Sequence, residues 1–373
     1  MSLKSILFFS HDSHLFGATR SMLELAVGLK QQGVNVSLVF PETGEATKFC
    51  KTQGMDFEVI YHEVMVFRPR KKDRLLRTFF TNKRASSSIL GIIKRLSPDV
   101  VYVNTGVRFY PLFCAVQLGI PVVLHLREFG KEDYGLEHMR SGYWFHKALR
   151  QASAVLFNSD VLLQFFNKQY PFISSKSHIV YNGVTAPVVE RNVVASEGDL
   201  HIGIVGVLKQ HKGQAIAIES IALLRQQGIP AHLHIYGVGP DERDFKTLAS
   251  DLNIKDHVDF HGFVTNNSVI YNQCEVVVVC AEFEAFGRVT VETLLGHRVV
   301  FGRNSGGTAE ILKNFPELLF DGSTHALCQK LKQYYLEPSS FDTVSTQAQS
   351  FVQQHFSIES SVAKFITVAK SIT

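Results

Sequence analysis

The chain has 373 residues, 45% of them apolar and 19% charged, and a formal net charge of +4. That length exceeds what one hydrophobic core usually supports, so two domains are expected, and the composition excludes a low-complexity or disordered chain. The charge is too small to argue for nucleic acid as a partner.

The opening carries one lysine followed by only four apolar residues, Ile6 to Phe9. This is shorter than the apolar region of a secretory leader. No run approaches the ~18 apolar residues of a membrane span. Five cysteines, at 50, 114, 274, 280 and 328, form no CxxC pair, which fits buried thiols in a reducing compartment. A soluble, cytoplasmic protein is expected.

Short apolar runs then alternate with helical patterns, the signature of parallel sheets with crossover helices. In the first half SILFFS, VNVSLVF, DFEVIY, DVVYVN, PVVLHL, AVLFNS and HIVYN read as strands. Between the first two, residues 19–33 place apolar side chains at 22, 23, 25, 26 and 29, a helical spacing that Gly33 stops. Phe16-Gly17-Ala18 lies between that strand and that helix. There a glycine is either a plain turn residue or permits close backbone approach to a ligand.

Residues 68–84, RPRKKDRLLRTFFTNKR, carry eight basic residues and one acid, with Leu75, Leu76, Phe79 and Phe80 on one narrow helical stripe. Such a segment can lie on an anionic membrane surface or bind a phosphorylated or lipid-linked acceptor. Equally, it can be an ordinary helix packing its stripe inward. No nucleic-acid motif accompanies it.

A proline and mixed polar residues break the rhythm at 185–199. The alternation restarts with LHIGIVGV, a helix at 213–227, AHLHIYGVG, a helix at 241–252, VDFHGFV, CEVVVVCA, a helix from about 287, and RVVFGRN. The boundaries expected from this are a domain at 1–186, a linker at 187–199, a second domain at 200–342, and a helical tail at 343–373 that packs back on the first. Two doubly wound α/β domains would face a central cleft, with ligands at the carboxyl ends of the strands.

The stretch AEFEAFGRVTVETLLG places Glu284 and Glu292 with seven residues between them. A helix starting near Gly287 offers unpaired N–H groups and about half a positive charge, a ready anion site. The two acids are either ordinary residues of a helix start or grips for the two ends of one ligand, as in sugar, diphosphate and ribose. Lys212, in GVLKQHKG after another strand, is either a solvated loop lysine or a cation at a second helix start. Gly237-Val238-Gly239 invites a dinucleotide reading, but Glu242 stands where the third glycine belongs, so the dehydrogenase signature is rejected. No DxD follows an apolar strand, and no His/Cys cluster has metal-ligand spacing.

Together these stretches resemble the GT-B glycosyltransferases, specifically family 4, over nearly the whole chain. EAFGRVTVE is similar to the family's E-x7-E element. GRNSGGTAEI, YGVGPDERDFKTLA, VDFHGFV, VYNGV and FGATRSMLELAVGLKQQGVNVSLV match further family elements in the same order. The resemblance implies an N-terminal acceptor-binding domain and a C-terminal nucleotide-sugar-binding domain, both Rossmann-like. Glu292 would hold the ribose and Glu284 the transferred sugar. Lys212 would meet the diphosphate, the backbone at Phe286, Gly287 and Arg288 the sugar and phosphate, and Phe263 and Val264 the base. Gly17 and Lys209 join the expected donor-site residues.

The chain departs from the pattern at Val207, where the family carries an arginine; either Lys209 substitutes for that cation or one diphosphate cation is missing. Ala285 replaces a glycine, and Arg127-Glu128 stands at the family's His-Asp. Arg127 is thus a candidate catalytic residue and His125 a structural one. The implied activity is metal-independent transfer of a hexosyl group from a UDP- or GDP-sugar to a glycan or lipid-linked acceptor. It would proceed with retention, by front-face attack, in cell-surface polysaccharide or glycolipid synthesis on the inner face of the membrane. No cofactor beyond the donor is implied. The competing readings are a GT-B-like epimerase, which should lack E-x7-E, and a non-catalytic scaffolding subunit.

Overall fold

A computed structural model describes residues 3–67, 75–138, 142–189 and 198–373. The basic run 68–74 and residues 190–197 of the expected linker lie outside the described residues. The chain forms two units, Met1–Val184 with Phe356–Thr373, and Thr185–His355.

In the first unit the strands are β1 (Ser5–Phe9), β2 (Asn35–Phe40), β3 (Asp56–Val59), β4 (Val66–Phe67), β5 (Val100–Asn104), β6 (Val122–Leu126), β7 (Glu137–His138), β8 (Ala154–Phe157) and β9 (Ser177–Ile179). Seven form a parallel sheet in the order β3-β2-β1-β5-β6-β8-β9, and β4 and β7 pair antiparallel beside it. β5 and β6 are buried at every position. Helices cover both faces of such a sheet, which is why its strands read as continuous apolar runs. Each fully buried valine or leucine contributes about 1.5–3 kcal/mol. All seven sheet strands match expected runs. β4 and β7, at two residues each, are too short to show a period.

Of the two readings of the stripe on the helix Leu75–Leu96, the structure departs from the inward-packing one at 79 and 80. Its buried positions are Thr78, Asn82, Ala85, Ile89, Ile92 and Ile93, a run of three- and four-residue steps. Phe79 and Phe80 lie one and two positions off that run and are 55% and 57% exposed. Asn82 is accommodated in the core because its Oδ1 accepts the Glu63 N–H at 2.8 Å.

The tail divides at Ser357, whose side chain caps the helix Ile358–Ile372 by accepting from the Ser360 N–H. That helix adds Val362, Phe365, Val368 and Ala369 to the core of the first unit. The helix Asp342–His355 belongs to the second unit.

The second unit contains β10 (Leu200–Val205), β11 (Ala231–Tyr236), β12 (Val258–Gly262), β13 (Val276–Val279), β14 (Val299–Arg303) and β15 (Leu319–Phe320). They form a parallel sheet in the order β12-β11-β10-β13-β14-β15. β15 is two residues long and was not anticipated. The chain steps outward from β10 to β12, returns to β13 and continues the other way, so the order reverses between β10 and β13. The loops leaving these two strands therefore diverge around a crevice, where open α/β sheets bind ligands. The same reversal occurs between β1 and β5 in the first unit.

Candidate active site

At the β10/β13 switch point, the loop after β10 runs through a short 3-10 turn at Gln210–Lys212 into the helix Gln214–Gln226. The loop after β13 leads to the helix Arg288–Leu295. The Glu282 N–H donates to the His211 carbonyl at 3.2 Å and ties the two loops together. Lys212 Nζ then reaches Glu284 Oε2 at 2.9 Å, both side chains being largely buried.

Gly287 caps the second helix with φ +97° and ψ 49°, a left-handed conformation that a glycine adopts without strain. No side chain at the N-cap position accepts from this helix start, and the first amides of any helix lack an intrahelical partner. From the β14 side, Gly307 presses against the same loop. Its N–H donates to the Glu284 carbonyl at 2.7 Å, and a Cβ there would stand 2.3 Å from the Phe286 carbonyl oxygen. The Gly-Gly step after β14 thus holds the 284–286 backbone in place.

Glu292, one turn into the helix, is 5% exposed. Its Oε1 accepts from Arg288 Nε and Nη2, both at 2.9 Å. Its Oε2 accepts from Asn267 Nδ2 at 2.8 Å and from the Tyr271 hydroxyl at 3.4 Å. Burial, with the nearby Glu292 carboxylate second, pushes Tyr271 well above its ordinary 10, so the hydroxyl keeps its proton and donates. Arg288, expected to contribute mainly backbone, also directs its side chain to this carboxylate. Val264 packs with Tyr236, Tyr271, Val205 and Val289 in the apolar cluster beside Glu292. Phe263, on the loop after β12, is exposed. The Val207 carbonyl accepts from the buried Gln214 Nε2, and Lys209 begins the 3-10 turn.

Sequence reasoning missed Asn267 and Tyr271, which follow the VDFHGFV stretch as an unremarkable polar loop and short helix. It also found no His/Cys cluster of metal-ligand spacing. The folded sheet corrects this by bringing His232, His234 and Asp259 together on β11 and β12.

In the first unit, Arg127 follows β6 and is 6% exposed. Its Nε donates to Asn104 Oδ1 at 2.7 Å, its Nη2 to the Tyr102 hydroxyl at 2.8 Å, and its Nη1 to Asn182 Oδ1. The Tyr102 hydroxyl in turn shares a hydrogen bond with His125 Nδ1 at 2.6 Å. Burial, then the charge of Arg127, holds His125 well below its ordinary 6.5. His125 is a core imidazole, neutral at physiological pH.

Glu128, the other half of the Arg127-Glu128 pair, was passed over as a site residue. Burial pushes its carboxyl up to about 8, helped by Asp133 and opposed by Arg127 and by hydrogen bonds from Gly106 and Thr105. Its Oε1 has no hydrogen-bond partner among the described residues. Gly17 is exposed at the start of the helix Gly17–Gln31, which likewise has no side-chain cap.

Residues 17–186 match the family described as Glycosyltransferase Family 4, and residues 189–350 that described as Glycosyl transferases group 1. The chain belongs to the family 4, group 1 glycosyltransferases. Its fold is accordingly GT-B, and glycosyl transfer is its class of activity.

Among relatives, it is 22% identical to the alpha-1,3/1,6-mannosyltransferase ALG2 of Saccharomyces cerevisiae, over 84% of this chain and 72% of that one. It is 26% identical to the putative glycosyltransferase EpsD of Bacillus subtilis, over 35% of each chain. In fold it is similar to Anabaena Alr3699/HepE in complex with UDP and glucose, with TM-score 0.80 and 18% identity, covering 99% of this chain and 100% of that one. A glycosyltransferase from Rickettsia africae gives TM-score 0.80 at 17% identity, covering 99% of this chain and 98% of that one.

Proposed function

We propose that this glycosyltransferase moves a hexosyl group from a UDP- or GDP-sugar to a glycan or lipid-linked acceptor with retention at the anomeric carbon. The observation that carries the reading is the meeting of Lys212 and Glu284 at 2.9 Å beside the uncapped start of the helix Arg288–Leu295, with Glu292 one turn further on. A nucleoside diphosphate at that helix start draws Lys212 onto its phosphates and releases Glu284 to accept from sugar hydroxyls. The ribose hydroxyls donate to Glu292, taking the places of Asn267 and Tyr271. Phe263 and Val264 adjoin the base. Lys209 and the amides of Phe286, Gly287 and Arg288 complete the phosphate and sugar contacts.

As the bond from the anomeric carbon to the β-phosphate oxygen breaks, negative charge grows on the leaving diphosphate. Lys212 and the fixed amides stabilise it without reorganising. The acceptor oxygen bonds to the same face of the sugar and passes its proton to the departing phosphate. This sequence assigns no step to a metal. Arg127, whose Nε, Nη1 and Nη2 all donate to neighbouring side chains, is assigned a positioning role through Asn104 and Asn182. Gly17 gives the acceptor domain an open helix start.

Exposed Phe79 and Phe80, with exposed Lys83 and Arg84 on the same helix, support peripheral contact with an anionic membrane. Lipid-linked acceptors of polysaccharide or glycolipid synthesis would be met there, on the cytoplasmic face. No helix among the described residues is long and apolar enough to cross a membrane.

Calorimetric titration of UDP, GDP, ADP and their sugar derivatives tests the donor reading. One nucleotide should bind at about micromolar affinity, equivalent to about −8 kcal/mol, and its sugar derivative should be consumed when acceptor is added. A folded protein that binds none of them refutes the proposal and leaves a non-catalytic role.

A further inference from the structure

We propose that His232, His234 and Asp259 form a binding site for one divalent transition-metal ion, of zinc type, at the free edge of the second unit's sheet. The register of the strands creates it. His232 and His234 stand two apart on β11 and so share a face, His234 is paired with Asp259 of the edge strand β12, and His201 of β10 is paired with His232. One ligand atom from each of His232, His234 and Asp259 lies within 4.8 Å of the others. His232 Nε2 is 2.9 Å, and His234 Nδ1 3.6 Å, from Asp259 Oδ2. Tetrahedral zinc with bonds of about 2.0–2.1 Å needs ligand atoms roughly 3.3 Å apart; the two separations from Asp259 bracket that value, the two imidazole nitrogens lie within 4.8 Å of each other, and a water would take the fourth position.

The protonation pattern points the same way. The Tyr236 hydroxyl donates to Gln273 Oε1 at 2.8 Å, which leaves the Gln273 amide nitrogen facing His234 Nδ1 at 3.2 Å. An amide nitrogen only donates, so Nδ1 carries a lone pair and the proton sits on Nε2. That Nε2–H meets His201 Nδ1 at 2.8 Å. Metal-bound imidazoles typically donate their other ring proton to such an outer partner. An ion between Nδ1 and the Asp259 carboxylate would take the Nδ1 lone pair from the Gln273 amide and bring the two acceptors onto one cation.

His261 Nε2 also approaches Nδ1, at 3.0 Å, and gives way when the ion enters. His234 is 2% exposed and fixed, whereas the Asp259 side chain is 53% exposed and gives the ion a way in from solvent. The ion would tie edge strand β12 to β11, and so steady the loop that carries Phe263 and Asn267. This makes it a structural clip, independent of the transfer chemistry.

The test uses the tag-free full chain, stripped with chelator and titrated with zinc by calorimetry and with cobalt by visible absorption. One ion should bind per chain at micromolar affinity or tighter, with cobalt showing the intense bands of a tetrahedral site. At one hundred times the dissociation constant, zinc should raise the melting temperature by about 5–10 °C. Asp259→Asn and His232→Ala, both at the solvent side, should each weaken binding at least tenfold while the zinc-free protein melts as before. Absence of saturable binding overturns the proposal. So does binding that neither substitution weakens, since the ion would then sit elsewhere.

Discussion

Glu292 combines two roles that substitution can separate. Replacing it with alanine removes a carboxylate that four donor atoms share, two from Arg288, one from Asn267 and one from Tyr271. An exposed i,i+4 ion pair would cost only a few tenths of a kcal/mol. This pair is buried, so the loss leaves a guanidinium, an amide and a phenol desolvated without an acceptor. Breaking a buried pair in this way costs about 3–5 kcal/mol. Arg288 sits in the first helical turn and can swing toward water, which places the expected cost near 3 kcal/mol. For a unit of this size that lowers the melting temperature by about 6–12 °C.

Glu292→Gln should be milder, about 1–2 kcal/mol. Its remaining oxygen can keep Arg288. Asn267 can flip its amide to accept from the new NH2, and the Tyr271 hydroxyl can rotate. The assay is calorimetric melting of parent and both variants, with and without the nucleotide that binds. The structural cost appears without nucleotide, and the ribose contact appears as loss of the nucleotide-induced shift in Glu292→Gln. Melting of Glu292→Ala within about 2 °C of the parent would refute the network argument. An undiminished nucleotide shift in Glu292→Gln would refute the ribose role.

Lys212→Ala should weaken nucleotide diphosphate binding by about 10- to 150-fold, the value of one charge-assisted hydrogen bond, while the nucleoside alone binds as before; equal losses for both would contradict a phosphate role. Gly307→Ala places a methyl 2.3 Å from the Phe286 carbonyl oxygen, so the 284–286 backbone must move. At least a tenfold loss of donor affinity is expected by titration, and unchanged affinity would show that the loop does not depend on this contact. Glu128→Gln should alter how stability depends on pH. The folded carboxyl titrates at about 8 rather than 4.5, so the folded state binds the extra proton and the parent loses stability as pH rises from 4.5 to 8. With partial exposure this amounts to roughly 2–3 kcal/mol. The variant should melt close to the parent at pH 5 and about 4–12 °C above it at pH 9, and a difference independent of pH would sink the argument.

What could be read in advance divides along physical lines. Strands buried on both faces announce themselves as unbroken apolar runs, and β1, β5, β6, β10 and β13 were visible for that reason. The E-x7-E spacing pointed to the loop after β13, because one strand, one loop and one helix start carry it locally. Pairings across the sheet leave no such trace. Asn267 and Tyr271 reach Glu292 only because the loop after β12 folds back over the β13 helix. The sequence left the rotation of Leu75–Leu96 open between an outward and an inward stripe, because its buried run includes Thr78 and Asn82, polar residues that read as surface positions.

The histidine cluster shows the limit most clearly. Only His232-x-His234 is contiguous, and that pattern alone says no more than that two imidazoles share a strand face. His201 and Asp259 join them because β11 lies between β10 and β12 in the sheet order. A ligand set assembled from adjacent parallel strands is separated in sequence by the intervening crossover helices. Spacing rules for metal sites describe hairpins and single helices, so they do not detect this arrangement. Parallel sheets therefore conceal sites of this kind from sequence reasoning, and the strand register reveals them.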